Sequence, residues 1–328
     1  MRGVTLRFLC NVKEVELLEP VSQAVRQCLD HKHPYVRRNA VLAVSSIYKN
    51  FDFLIPDAPE LIFSLFLQGE GSLKQPETDP FCMRNAMAML SMHAPDTLTA
   101  YLLEKADDLV AFDGQVQLVI LEHIGRELKN DPAAVAIYGH LLKSVDSAVQ
   151  YEAAVSIFRY LRLSGRRADD LSTHGVACLQ TLVSLITSLD SNDNVKLIAL
   201  QQISDLQTEF PEVVEEDESS LLDVLRSLSS SSDIQVQRLA LKVVLQGVSQ
   251  GRGEDVLGQL KRELFKLASD TSGNEYKRLY LDNINVLANR FISLAGSALE
   301  IFVSYLVSGE SDYYSDQVTQ YIKYGDCV

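Results

Sequence analysis

Seven times along this chain an apolar residue is followed, after three intervening positions, by a small or apolar residue that opens an amphipathic stretch. The pairs are Val36/Ala40, Cys82/Ala86, Val116/Ile120, Val149/Ala153, Val195/Ala199, Val236/Ala240 and Tyr276/Tyr280. Successive first members lie 46, 34, 33, 46, 41 and 40 residues apart. A supersecondary unit of this length cannot bury its apolar face alone, whereas stacked copies can. A period of roughly 33–47 residues is therefore the mark of helical-pair solenoids. Such bodies offer surfaces to partners more often than cavities for chemistry.

The helix-start signals fall in step with the repeat. His33-Pro34, Asp79-Pro80, Asp146-Ser147, Ser191-Asn192-Asp193 and Ser232-Asp233 each place a short polar side chain, or a proline, just before a first anchor. Beyond each start the apolar residues keep a helical period. Ala40, Val44, Ile47 and Phe51 form one stripe, Val149, Ala153, Ile157 and Tyr160 another, and Val195, Ala199, Ile203, Leu206 and Phe210 a third. A second set of helices is expected near residues 16–29, 57–68, 97–110, 132–143, 174–188, 219–228, 255–268 and 294–307. Period-two alternation is absent, which excludes a strand reading. The fold class is all-α: a HEAT/armadillo-like helical-repeat solenoid of about eight antiparallel helix pairs, running as one continuous body through residues 1–328.

Connections are expected at residues 69–77, at the acidic stretch 215–220 and at Ser229–Ser232, all read as polar loops or turns. Gly247–Gly253 is read as a helix end followed by a flexible loop. Val4, Leu6, Phe8 and Leu9 look like the tail of a helix without its partner, and Tyr313–Ile322 like a further helix. Neither end carries a polar capping repeat, so a solenoid truncated at both ends is expected.

Composition narrows the function. The hydrophobic fraction is 47% and the charged fraction 23%, ordinary for a folded soluble chain. No apolar run approaches the roughly 18–20 residues of a membrane span, and the N-terminus lacks the apolar core of a signal peptide. A formal charge of −14 argues against sequence-independent nucleic-acid binding. That charge is uneven: residues 1–50 hold eight Lys/Arg against four acids, so the excess of acid lies downstream. Cys10, Cys28, Cys82, Cys178 and Cys327 show no metal or redox spacing and read as reduced, mostly core thiols of a cytosolic protein.

The residues offer no catalytic, cofactor or metal site. Gly247–Gly253 lacks the Lys-Ser/Thr of a phosphate loop. His31 and His33 flank Lys32 without further ligands, and His93, His123, His140 and His174 are isolated. The run Glu209, Glu212, Glu215, Glu216, Asp217, Glu218 reads as a solvated loop, with docking of a basic partner as the alternative. Lys32, Arg37 and Arg38 are the candidate partner-surface residues. Two adjacent arginines in a helix's first turn cannot both enter the core, and the macrodipole there disfavours cations. One bland role is a bridge to an acid in the neighbouring repeat. The functional alternative is contact with an acidic protein surface or with anionic headgroups.

The segment His33-Pro34-Tyr35-Val36-Arg37-Arg38-Asn39-Ala40-Val41 resembles the N-terminal trunk of the large subunits of vesicle coats and clathrin adaptors, the adaptin type. Leu17–Pro20, Leu54–Ile62, Gln117–Ile120, Tyr151–Ala154 and Asn194–Ile198 extend a collinear resemblance to the coatomer beta family over about residues 1–306. The loop at 69–78 looks longer than the family's, residues 163–174 and 210–220 match poorly, and the family's appendage domain is absent. The resemblance implies a non-catalytic scaffold of the COPI coat, without a cofactor or small-molecule substrate, in Golgi-to-ER and intra-Golgi traffic. Its implied partners are delta-COP, other coatomer subunits and a GTP-bound Arf-family GTPase. Its implied location is the cytoplasm and the cytosolic side of Golgi and vesicle membranes. A clathrin-adaptor beta subunit, or another HEAT/armadillo transport or phosphatase scaffold, is the competing identity.

Overall fold

The computed structural model describes residues 1–67, 76–164, 171–188, 191–227, 233–267, 274–307 and 315–324. They fall into two compact units, residues 1–164 and 165–328. Among the described residues every regular element is helical.

In the first unit the chain forms α1 (Arg2–Leu9), α2 (Val15–Leu18), α3 (Ser22–Gln27), α4 (Pro34–Asn50), α5 (Ala58–Phe63), α6 (Pro80–His93), α7 (Pro95–Glu104), α8 (Gly114–Glu127), α9 (Pro132–Leu141) and α10 (Ser147–Leu163). The anchor helices α4, α6, α8 and α10 pack in series, each against the next, while α1 lies along α4. Gly3 permits that last approach, because a Cβ there would collide with the Tyr35 ring.

The second unit opens with a π-helical turn, Leu171–Gly175. It continues through α11 (Val176–Thr187), α12 (Asp193–Glu209), α13 (Pro211–Glu216), α14 (Glu218–Ser227), α15 (Ile234–Gly247), α16 (Gly253–Lys266), α17 (Asn274–Arg290), α18 (Ala295–Val307) and α19 (Ser315–Tyr324). Here α12, α15 and α17 form the anchor row, and α11, α14 and α16 pack beside it in the same order.

The sequence pattern explains both rows. Twelve of the fourteen anchor residues are buried, and the alanines at 40, 86, 153, 199 and 240 are sealed between helices. Val195 and Tyr276 are the half-buried exceptions. Burial of each Val, Leu or Ile along such a stripe contributes about 1.5–3 kcal/mol, and the missing bulk at alanine lets the backbones approach. Helix starts are fixed by side chains that accept orphan amides. Asp79 caps the Cys82 amide, Asp146 that of Ala148, Asn192 that of Val195 and Asp233 that of Gln235. His33 does the same for Tyr35 through Nδ1, at 3.2 Å.

One loop expectation needs correction. The acidic stretch is not a loop: α13 runs to Glu216 and α14 begins at Glu218, with Asp217 alone between them. Val213, Val214, Leu221 and Leu222 are buried there, so apolar pairs at helical spacing outweigh the charge run that suggested a turn. At Gly247–Gly253 the expected helix end is present, since α15 ends at Gly247, and a short connection follows. A 3₁₀ turn, Gln250–Arg252, leads into α16, and Ser249 is tied to Glu218 through its amide (2.6 Å) and hydroxyl (2.9 Å). The loop expected at 69–77 falls largely, and Ser229–Ser232 wholly, outside the described residues, as do Tyr313, Tyr314 and Cys327.

Candidate partner-binding surface

The three basic candidates lie at the entrance to α4. Lys32 sits in the turn before it with its side chain exposed, and its carbonyl accepts from Arg37 Nη1 at 3.1 Å. Arg37 reaches forward one repeat. Its Nε and Nη2 meet the two carboxylate oxygens of Glu77 at 2.5 and 2.7 Å, and Nη1 also donates to the His31 carbonyl at 2.9 Å. Arg38 makes the parallel pair with Asp79, at 2.6 and 2.5 Å, and its guanidinium stacks over the Phe81 ring, 4.5 Å from the centroid. The structure thus brings Arg37 and Arg38 together as a double fork-to-fork clamp, and Lys32 stands beside it facing solvent.

The acids of the clamp are more enclosed than the arginines. The Glu77 side chain is 3% exposed against 19% for Arg37. Burial pushes the Glu77 carboxyl up, but hydrogen bonds from Arg37, the Asp79 amide and the Cys82 thiol outweigh it and hold the group below the usual range. Asp79 is held low chiefly by Arg38, against a smaller effect of burial. Burial and the Glu77 charge push the Cys82 thiol far above its ordinary value, so it is no nucleophile. Asp79 also caps α6, so one carboxylate joins two repeats and starts a helix.

Sequence reasoning missed Glu77 and Asp79 as the partners. The available signal was spacing, because they stand one repeat downstream of Arg37 and Arg38 and immediately before the next anchor helix.

A second polar cluster links α6, α7 and α8. His123, fully buried, lies 2.9 Å from Ser91 Oγ through Nδ1 and 2.9 Å from Thr99 Oγ1 through Nε2. Arg126 Nη2 donates to the Ser91 carbonyl and hydroxyl, both at 2.6 Å. Burial pushes the imidazole below its ordinary value. Nδ1, the nitrogen that a catalytic triad would hand to a carboxylate, meets the Ser91 hydroxyl instead. This arrangement holds helices together; it does not activate a nucleophile.

Beside the clamp, the anchor helices present Tyr35 and Leu42 on α4, and Phe81, Arg84 and Met92 on α6, all exposed. Between α8 and α10 lies an open groove of about 560 Å³ lined by Leu118, Leu121, Gly125, Arg126, Lys129 and Arg159, with Glu122 and Glu152 on its walls. Large apolar side chains among unlike charges suit recognition of a protein surface. Among the described residues, no three His, Cys, Asp or Glu side chains are grouped to hold a metal, and no helix is long and apolar enough to cross a membrane.

The family model of the Adaptin N terminal region matches residues 1–324. The chain belongs to the adaptin N-terminal family. Within known proteins, this adaptin-type chain is similar to coatomer subunit beta of Drosophila melanogaster, at 37% identity over 93% of the chain and 30% of that protein. It is also similar to coatomer subunit beta of Sus scrofa, at 36% over 93% and 31%, and of Dictyostelium discoideum, at 34% over 93% and 32%. The chain therefore spans about a third of the length of these relatives. Among known structures it is similar to a chain in a homology model of the full-length AP-3 complex in an intermediate open conformation. There the TM-score is 0.60 at 14% identity, over 97% of this chain and 58% of that one, a likeness of fold.

Proposed function

We propose that this adaptin-type chain is a non-catalytic scaffold segment of a coatomer-type vesicle coat, acting by binding other proteins. The observation that carries this reading is the similarity to coatomer beta subunits over 93% of the chain, on a helical-repeat body. The AP-3 likeness, at 14% identity, supports the fold without favouring a clathrin-adaptor identity.

In this reading its partners are delta-COP, other coatomer subunits and a GTP-loaded Arf-family GTPase. It is recruited from the cytoplasm to the cytosolic face of Golgi and vesicle membranes without spanning them. Lys32 and the exposed rims of Arg37 and Arg38 face a partner, while the bound ends of both arginines hold the repeats together.

Co-expression of the 328-residue chain with a delta-COP longin domain tests the reading. Co-purification as a stoichiometric complex is expected, and separate elution of two folded proteins would count against it. Charge reversal at Lys32 is expected to weaken the complex at unchanged melting temperature, because the side chain is exposed.

A further inference from the structure

The second unit is strongly acidic, with fourteen Lys/Arg against twenty-four Asp/Glu in residues 165–328. Within it, between α14 and α16, a depression of about 170 Å³ collects three arginines: Arg226, Arg252 and Arg262. The buried Leu222 and Leu225 also line it, with Gln259 and Asp255 beside them. The acids beside these cations are unevenly placed. Arg226 meets Asp223 at 2.7 Å on the exposed rim, and Arg252 reaches Asp255 only at 3.6 Å. Arg262 has no ion pair or hydrogen bond among the described residues. Like charges gathered on an otherwise anionic surface repel one another, and a bound anion relieves that repulsion.

We infer that this depression is a phosphoryl-binding site, and that its ligand is a phosphorylated serine or threonine on a peptide segment of a partner protein. A phosphomonoester carries nearly two charges and three peripheral oxygens at neutral pH, which matches the guanidinium forks of Arg252 and Arg262 better than a single carboxylate does. The volume admits one phosphoryl group with the start of its side chain, and the two leucines give that stem an apolar bed. An anionic bilayer is disfavoured as the source, because the surrounding unit carries a net charge of −10 and repels a sheet of negative headgroups. A short phosphopeptide can enter the basic patch without meeting the rest of that field.

Calorimetric titration of the 328-residue chain with a neutral-flanked phosphoserine tripeptide, its unphosphorylated twin and inorganic phosphate tests the site. The phosphopeptide is expected to bind at least about tenfold tighter than the twin. R262Q and R252Q should each weaken it by about tenfold while leaving the melting curve in place, since both side chains are exposed. Equal binding of the two peptides, or affinity unmoved by both variants, overturns the site. Inorganic phosphate bound as tightly as the phosphopeptide overturns the peptide as ligand. So does arginine-dependent flotation with vesicles of phosphatidylcholine containing phosphatidylinositol phosphate.

Discussion

The two units join their repeats with different mixtures of polar ties. In residues 1–164 neighbouring repeats are joined by charged forks: Arg26 to Asp57 at 2.7 Å, Arg37 to Glu77 and Arg38 to Asp79. In residues 165–328 the ties include neutral ones beside others with one charged member, such as Arg290 Nη1 on the Leu245 carbonyl and Ser249 on Glu218. Gln207 Nε2 donates to the Val243 carbonyl at 2.8 Å, and the Tyr280 hydroxyl donates to Gln237 Oε1 at 3.1 Å. Charged pairs that are half-enclosed are strong while both members are present and costly when one is removed. Amide and hydroxyl ties are weaker and lose less. The contrast teaches that one repeat pattern can carry joints of very different sensitivity to substitution and to pH.

The largest effect is expected where a clamp is opened from its buried side. Glu77→Ala leaves Arg37 enclosed without its carboxylate and is expected to cost about 3 kcal/mol. For a unit of this size that corresponds to a fall of roughly 6–12 °C in melting temperature. Amide hydrogen exchange should place the loss in α4 and α6 and leave α15 and α17 unchanged. A loss below about 1 kcal/mol would mean that the clamp is no stronger than the neutral ties, and the contrast between units would fail.

The repeat itself was readable because each anchor combines burial with close approach, two demands that Val and Ala meet at fixed spacing. The caps were readable for a similar reason: Asp79, Asp146, Asn192 and Asp233 act within three residues of themselves. Pairs across repeats were not. Arg37 and Glu77 lie 40 residues apart, and repeat spacing alone does not say which acid an arginine meets. The acidic run misled for the opposite reason. Glu212, Glu215 and Glu216 are exposed as a loop's would be, yet the valines between them decide the local structure by facing the core. The two acids that end the run have internal duties, Asp217 accepting from Ser219, Ser220 and Gln180, and Glu218 from Ser249.

Acid should act more heavily on the first unit, although Asp217 of the second is also held low. The carboxyls of Glu77, Asp79 and Asp57 are all held below their ordinary values, so the unfolded chain takes up protons first as pH falls. Their contribution is complete above about pH 4.5 and is lost below it. His123, also held low, adds an earlier loss that begins as pH falls through about 6.5, because the unfolded imidazole protonates while the buried one resists. Exchange in α4, α6 and α8 should therefore rise between about pH 6.5 and 4 ahead of exchange in α15 and α17. A His123→Gln variant that keeps the full acid response above about pH 5 would remove the imidazole from this account.

The smallest effect tests the neutral side of the contrast. Tyr280 is 2% exposed, and burial pushes its hydroxyl well above the ordinary tyrosine value, so it remains a donor at any working pH. Tyr280→Phe keeps the ring and its packing and removes only the bond to Gln237 Oε1. Net contributions of such bonds are near 1 kcal/mol, so faster exchange in α15 and α17 by about fivefold is expected, with α4 and α6 unmoved. Because the hydroxyl carries no formal charge, the loss should not change with salt or between about pH 4 and 8. A cost equal to that of Glu77→Ala would show that depth of burial, and not charge, sets the strength of a joint between repeats.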